Sequence, residues 1–136
     1  MAETLRLEIV TPQAVVFSED VELVTVPGSE GQFGVYPHHV RLITSMVPGE
    51  IIVEKDGKER FLAVGIGMVE VAPTRVSIVT DMAIPAESID EAKAEEARQR
   101  AAARLREKIS DEEVASVNAS LARSLAQLRV KRRHRT

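Results

Sequence analysis

His38 and His39 stand side by side in a chain with three histidines and no cysteine. A metal is the first chemistry they suggest. Neighbours on a strand point to opposite faces, however, and no third ligand follows nearby. Gly65-Ile-Gly67 suggests a phosphate loop, which needs a glycine turn opening into a helix. Here Met68 to Val71 read as strand, so a bulge or close strand packing is the better reading. The ending Arg129-Val-Lys-Arg-Arg-His-Arg-Thr136 carries five fixed positive charges. Alone it suits nucleic acid or anionic lipid, but it has no interleaved aromatics to stack on bases. No catalytic constellation emerges. There is no serine or cysteine nucleophile near a base and no paired carboxylates in an apolar setting.

These residues need a scaffold, and composition bounds it. Apolar residues make up 44% of the 136 and aromatics only 3%, so the core is aliphatic. One domain, or one with an appendage, fits this length. Without cysteine, disulfides, zinc–thiolate sites and thiol catalysis are excluded. No apolar run approaches the ~20 residues of a membrane span, and MAETLRLEIV lacks the features of a signal peptide. Charge divides the chain. Residues 1–85 hold 6 Lys/Arg and 12 Asp/Glu, residues 86–136 hold 12 and 9. Such asymmetry points to two surfaces with different partners.

The first half alternates with period 2. Leu5, Leu7 and Ile9 open the pattern. Val15 to Phe17, Val21 to Val26, Ile51 and Val53, Phe61 and Ala63, Met68 to Val71 and Val76 to Val79 continue it. Asp56-Gly57 predicts a tight hairpin, and Pro73-Thr74 another turn. About eight or more short strands at this spacing predict a sandwich or barrel. The second half reads as helix. Ser88-Ile-Asp-Glu91 and Ser110-Asp-Glu-Glu113 both have the form of a capping box, placing a break near Ile109–Ser110. The first helix buries Ala94, Ala97, Ala101, Leu105 and Ile109. The second buries Val114, Val117, Leu121, Leu125 and Leu128. The fold class is α+β: a β-sandwich or barrel over 1–85, then an antiparallel two-helix hairpin over 86–136. Three alanines among five contacts make the first helix a weak adhesive, so the hairpin is expected to be bistable.

Between the strands lies Val24 to Ile43, with Gly28, Gly31, Gly34, Pro27, Pro37 and both adjacent histidines. Pro27 and Pro37 place it at edges and turns of a sheet. Phe33, Val35 and Tyr36 interleave its polar residues, which suits a docking surface.

GSEGQFGVYPHHVRLI resembles the corresponding segment of the epsilon subunit of F-type ATP synthases. LRLEIVTPQAVVFSEDVE, GIGMVEVAPTRVSIVTDMA and SLARSLAQLRV resemble other segments of that family, in the same order, over nearly the whole chain. The resemblance implies a flattened β-sandwich joined to a helical hairpin, in a non-catalytic rotor subunit. Its implied partners are the gamma subunit, the membrane rotor c-ring and the alpha and beta subunits of the catalytic head. It implies a place on the cytoplasmic face of the plasma (inner) membrane, held there only through the complex, and helices that switch between retracted and extended states to inhibit ATP hydrolysis.

Contacts with the c-ring or gamma are then expected from Glu30, Gln32, Val35, Tyr36, His38 and His39. Gln32 stands where the family often has an acid, His38 where it usually has glycine, and Arg41 where it usually has proline. Inhibitory contacts with the head are expected from Arg98, Arg100, Arg104, Arg106, Arg123 and Arg129. Ile89-Asp-Glu-Ala-Lys93-Ala94 resembles a nucleotide-linked motif that has arginine at the place of Lys93. Lysine keeps the charge without the bidentate fork. A regulatory ATP would draw on Asp90, Lys93, Arg98 and Arg123. No metal and no other cofactor is expected. The rival reading is a stand-alone nucleic-acid-binding module using the basic tail, which the acidic first half opposes.

Overall fold

Alternating burial builds the first half of the chain. A computed structural model describes residues 3–134, with ten strands before the helices. They are β1 (Leu5–Val10), β2 (Val15–Val21), β3 (Leu23–Gly28), β4 (Gly31–Val35), β5 (Leu42–Met46), β6 (Gly49–Lys55), β7 (Lys58–Val64), β8 (Gly67–Ala72), β9 (Arg75–Thr80) and β10 (Ala83–Pro85). Leu5, Leu7 and Ile9 face inward with Val24, Val26, Ile51, Val53, Leu62, Val64, Val69, Val71, Val76 and Ile78 in one core.

Strand order is β10-β7-β6-β3-β5-β8-β9-β1-β2, with β4 also on β3. The path folds over where β3 meets β5 through the single pair Gly28–Met46. One layer is therefore β10-β7-β6-β3-β4 and the other β5-β8-β9-β1-β2. The expected Asp56-Gly57 hairpin joins β6 to β7, with both residues in the left-handed region (φ 54 and 75). Pro73-Thr74 turns β8 into β9.

Several expectations need correction. Pro27 lies inside β3, not at a sheet edge. β6 pairs β3 through Thr25 and β5 pairs it at Gly28. The missing amide thus falls in the gap between two partners. The run Val21 to Val26 is broken at Glu22. Phe61 and Ala63 face away from the core, because the inward residues of β7 are Leu62 and Val64. Close approach explains the two glycines near β8. A Cβ at Gly65 would collide with Asp81, and one at Gly67 with the Val79 carbonyl oxygen.

After a 3-10 turn at Ala86–Ser88 come α1 (Glu91–Leu105) and α2 (Asp111–Arg133). Asp90, not Ser88, caps α1, its carboxylate accepting from the Lys93 amide at 3.1 Å. Ser88 is taken up by the 3-10 turn, and Asp90 offers equivalent chemistry two residues later. The second capping box forms as expected, with Ser110 Oγ accepting from the Glu113 amide at 3.2 Å. Helix α1 stops at Leu105, leaving Ile109 in the linker. Helix α1 packs on α2, and α2 packs on β6 and β7. Wedged between two partners, α2 buries Ser124, Ala126, Leu128 and Val130, and leaves Leu125 exposed.

Candidate interaction surfaces

The turn-rich segment forms a surface at two separate places. Glu30 and Gln32 are exposed at the β3–β4 turn, beside Ser29, whose hydroxyl accepts from Ser45 Oγ at 2.8 Å. Tyr36 (64% exposed) and the two histidines lie past the far end of β4. Phe33, Gly34 and Val35 of β4 separate Gln32 from Tyr36, four steps of extended chain or about 13 Å. Val35 belongs to neither group, since it is fully buried opposite Val24. Its expected contact role is withdrawn because its strand parity points it into the core.

The histidines sit in a turn and the loop after it, not on a strand. His39 Nδ1 bonds the Val40 carbonyl at 2.7 Å. His38 takes φ 70, its amide donating to the Pro73 carbonyl at 2.7 Å and its Nε2 lying 3.2 Å from Glu3. A left-handed conformation costs a residue with a Cβ roughly 1–2 kcal/mol, which accounts for glycine at this place in the resembled family. Glycine adds about 0.4–1 kcal/mol of unfolded-state entropy, and the exposed pair with Glu3 contributes little. His38→Gly should therefore stabilise the chain by up to about 1 kcal/mol. Urea unfolding checks this; a lowered midpoint would show that the imidazole contacts outweigh the strain.

The outer face of the second layer carries a surface that alternation alone did not predict. Met68 pairs with Val79, and Val79 with Val10, so three apolar side chains lie in register across β8, β9 and β1. Met68 is 51% and Val79 59% exposed. With Ile66, Met46 and Pro12 they line an open groove of about 800 Å³. One row further along the strands the same face turns polar at Glu70, Ser77 and Glu8. The signal was present as apolar doublets: Ile9-Val10, Met68-Val69 and Ile78-Val79. In a period-2 strand a doublet makes both faces apolar.

The helical cations are largely engaged within the chain. Arg98 bonds Glu95 at 2.5 and 3.0 Å. That guanidinium holds the Glu95 carboxyl down to about 2. Arg104 pairs with Glu107 and, at 2.5 Å, with Glu113. Glu113 is held below its ordinary range first by the Ser110 backbone amide, then by Arg104. Arg123 reaches Asp81 of the sandwich at 3.0 Å. Arg100, Arg106 and Arg129 are exposed. A cavity of about 560 Å³ lies between the helices near their linker, lined by Ala97, Arg100, Ala101, Ser116 and Ser120 among others.

Among the described residues, the four nucleotide candidates share one contact, the Asp90 cap on the Lys93 amide. Arg98 and Arg123 are bound to different acids, on α1 and on the sandwich. The basic ending is helical through Arg133. Lys131 donates to the Ala86 carbonyl at 3.3 Å, and Arg132 pairs with Glu91 and Glu95. Arg135 and Thr136 lie outside the described residues.

Two family models match the chain. The ATP synthase Delta/Epsilon chain beta-sandwich domain matches residues 4–86, and the ATP synthase Delta/Epsilon chain long alpha-helix domain matches residues 87–132. Among solved structures, the fold is similar to a chain of the Euglena gracilis mitochondrial ATP synthase (OSCP/F1/c-ring, rotational state 1). Identity is 24% over 88% of this chain and 76% of that chain, with a TM-score of 0.71. It is also similar to a chain of the Tetrahymena thermophila mitochondrial ATP synthase, central stalk/c-ring. There identity is 12% over 65% of this chain and 71% of that one, with a TM-score of 0.54.

Proposed function

The chain belongs to the ATP synthase delta/epsilon chain family, and we propose that it is a non-catalytic central-stalk subunit of the epsilon type. The observation that carries this reading is the two-faced sandwich. One outer face is covered by the chain's own α2, while the other presents the Met68–Val79–Val10 row to solvent. An open apolar row bordered by a polar one suits a protein partner. That partner is the gamma subunit in this reading. The strand-end loops, with Glu30 and Gln32 at one end and Tyr36, His38 and His39 at the other, are left for the membrane rotor ring.

Residues 86–136 act as a regulatory hairpin on the sandwich of residues 1–85. The described arrangement is the retracted one. Helix α2 brings only the small residues Ala126 and Val130 to the buried apolar contact with the sandwich, so its own apolar contribution to that contact is modest. Released and extended, the arginines would meet acidic surface of the alpha and beta subunits and oppose rotation in the hydrolysis direction. Arg98, Arg104 and Arg123 would first exchange their internal acids. ATP, drawing on Asp90, Lys93, Arg98 and Arg123, would be a regulator of this switch only after such a rearrangement. The rival nucleic-acid reading is the weaker one, because three cations of its tail, Lys131, Arg132 and Arg133, are tied to acids and a carbonyl of the same chain.

Among the described residues no helix is long and apolar enough to cross a membrane. Membrane association through the complex, on the cytoplasmic face, completes the proposal. Its test is coupling. Membranes stripped of their own delta/epsilon chain should recover ATP-driven proton pumping when this chain is added. Binding without recovered pumping would overturn the coupling role.

A further inference from the structure

The contact of α2 with the sandwich has three parts in line. At one end Arg123 pairs with Asp81 at 3.0 Å. In the middle, Ala126 and Val130 pack with Ala63, Met82 and Ile89. At the other end lies Glu50, on the outer face of β6 opposite Ala63. Its side chain is only 11% exposed. Arg133 Nη1 lies 3.3 Å from one of its oxygens and His134 Nε2 2.5 Å from the other. The His134 ring also stacks on Phe61, with centroids 3.6 Å apart and planes 12° from parallel.

A carboxylate this enclosed requires partners, and the side chains that partner it are Arg133, the last residue of α2, and His134, its C-cap. Arg133 is 65% exposed and His134 20%, so the imidazole makes the better-shielded bond. The apolar middle is built on an alanine and a valine from α2, so polar contacts at its ends weigh heavily in where α2 resides. We propose that Glu50 is the anchor of the retracted hairpin, with His134 and Arg133 as a terminal clasp that sets how often α2 leaves the sandwich. This rests on the two-state reading of the hairpin and names residues that govern it.

The absence of native cysteine allows a direct measurement on the full chain. A cysteine replacing Ala126, which is 2% exposed, reacts with a thiol reagent only when α2 lifts. A cysteine replacing Val53, which is 1% exposed in the sandwich core, reports global opening. Glu50→Gln should speed labelling at position 126 roughly tenfold and leave position 53 unchanged, and His134→Ala should do the same. Combining them should add little, because both remove one contact. Unchanged labelling at 126, or equal acceleration at 53, would overturn the clasp. Inhibition of ATP hydrolysis is read separately. Faster labelling with unaltered inhibition supports the clasp and counts against the hairpin as inhibitor.

Discussion

Removing residues 88–136 should raise ATP hydrolysis by the assembled complex at least about 5-fold, the lower end of typical coupling between two states, and leave assembly intact. The main core explains the second half of this expectation. Its buried members run from Leu5 to Ala83, all within the sandwich. Among the described residues, the buried apolar part of the hairpin's contact is a separate outer cluster of Ala63, Met82, Ile89, Ala126 and Val130. Truncation strips cover from Phe61, Ala63, Met82 and Ile84 but opens no hole in the core. The comparison adds residues 1–87 or the full chain to a catalytic head depleted of its own epsilon subunit. Suppression by the full chain alone supports the inhibitor reading. Suppression by both, or loss of binding in the truncation, sinks it.

Charge reversal refines the same experiment. Arg129 is exposed and, among the described residues, has no ion pair, so Arg129→Glu should weaken inhibition without disturbing the retracted state. Arg123 is tied to Asp81, so Arg123→Glu acts twice: it releases the hairpin and removes a cation from it. The cleaner test of electrostatic inhibition is therefore Arg129, read at low salt where surface charges are least screened.

Much of this architecture was legible in local chemistry. The β6–β7 turn needed two left-handed residues, and Asp-Gly supplies them. The Ser110–Glu113 box needed only residues three apart. Legibility failed where one residue had two competing roles or one element had two partners. Ser88 and Asp90 both offer cap chemistry, and the 3-10 turn decides between them. Leu125 fits a single helical stripe, but α2 serves α1 and the sandwich at once, so its buried positions spread over a wider arc. Val35 was read from the polarity of its neighbours, whereas strand parity sends it inward. The segment Glu30 to His39 is contiguous in sequence, yet an extended strand carries its two ends apart. The Met68–Val79–Val10 row requires register between β8, β9 and β1, and β1 lies more than fifty residues earlier in the chain.

That row yields the largest binding effect. Met68→Glu or Val79→Asp places a charge in the centre of the proposed gamma contact. Both positions are more than half exposed in the free chain, so folding is nearly unaffected and the cost falls on association. A central interface residue is worth about 2 kcal/mol or more when lost, and a buried unpaired charge adds to that. Affinity for gamma should then fall at least about 30-fold for either variant. Glu70→Lys, one row away on the polar part of the same face, should change it by less than about 5-fold. Titration calorimetry with purified gamma separates the cases. Equal losses at all three positions would point to general electrostatics, and no loss at Met68 or Val79 would move the gamma contact away from this face. The row then decides more than affinity. If gamma covers this face while α2 covers the other, the hairpin can lift without breaking the stalk, which is what a regulator mounted on a rotating shaft requires.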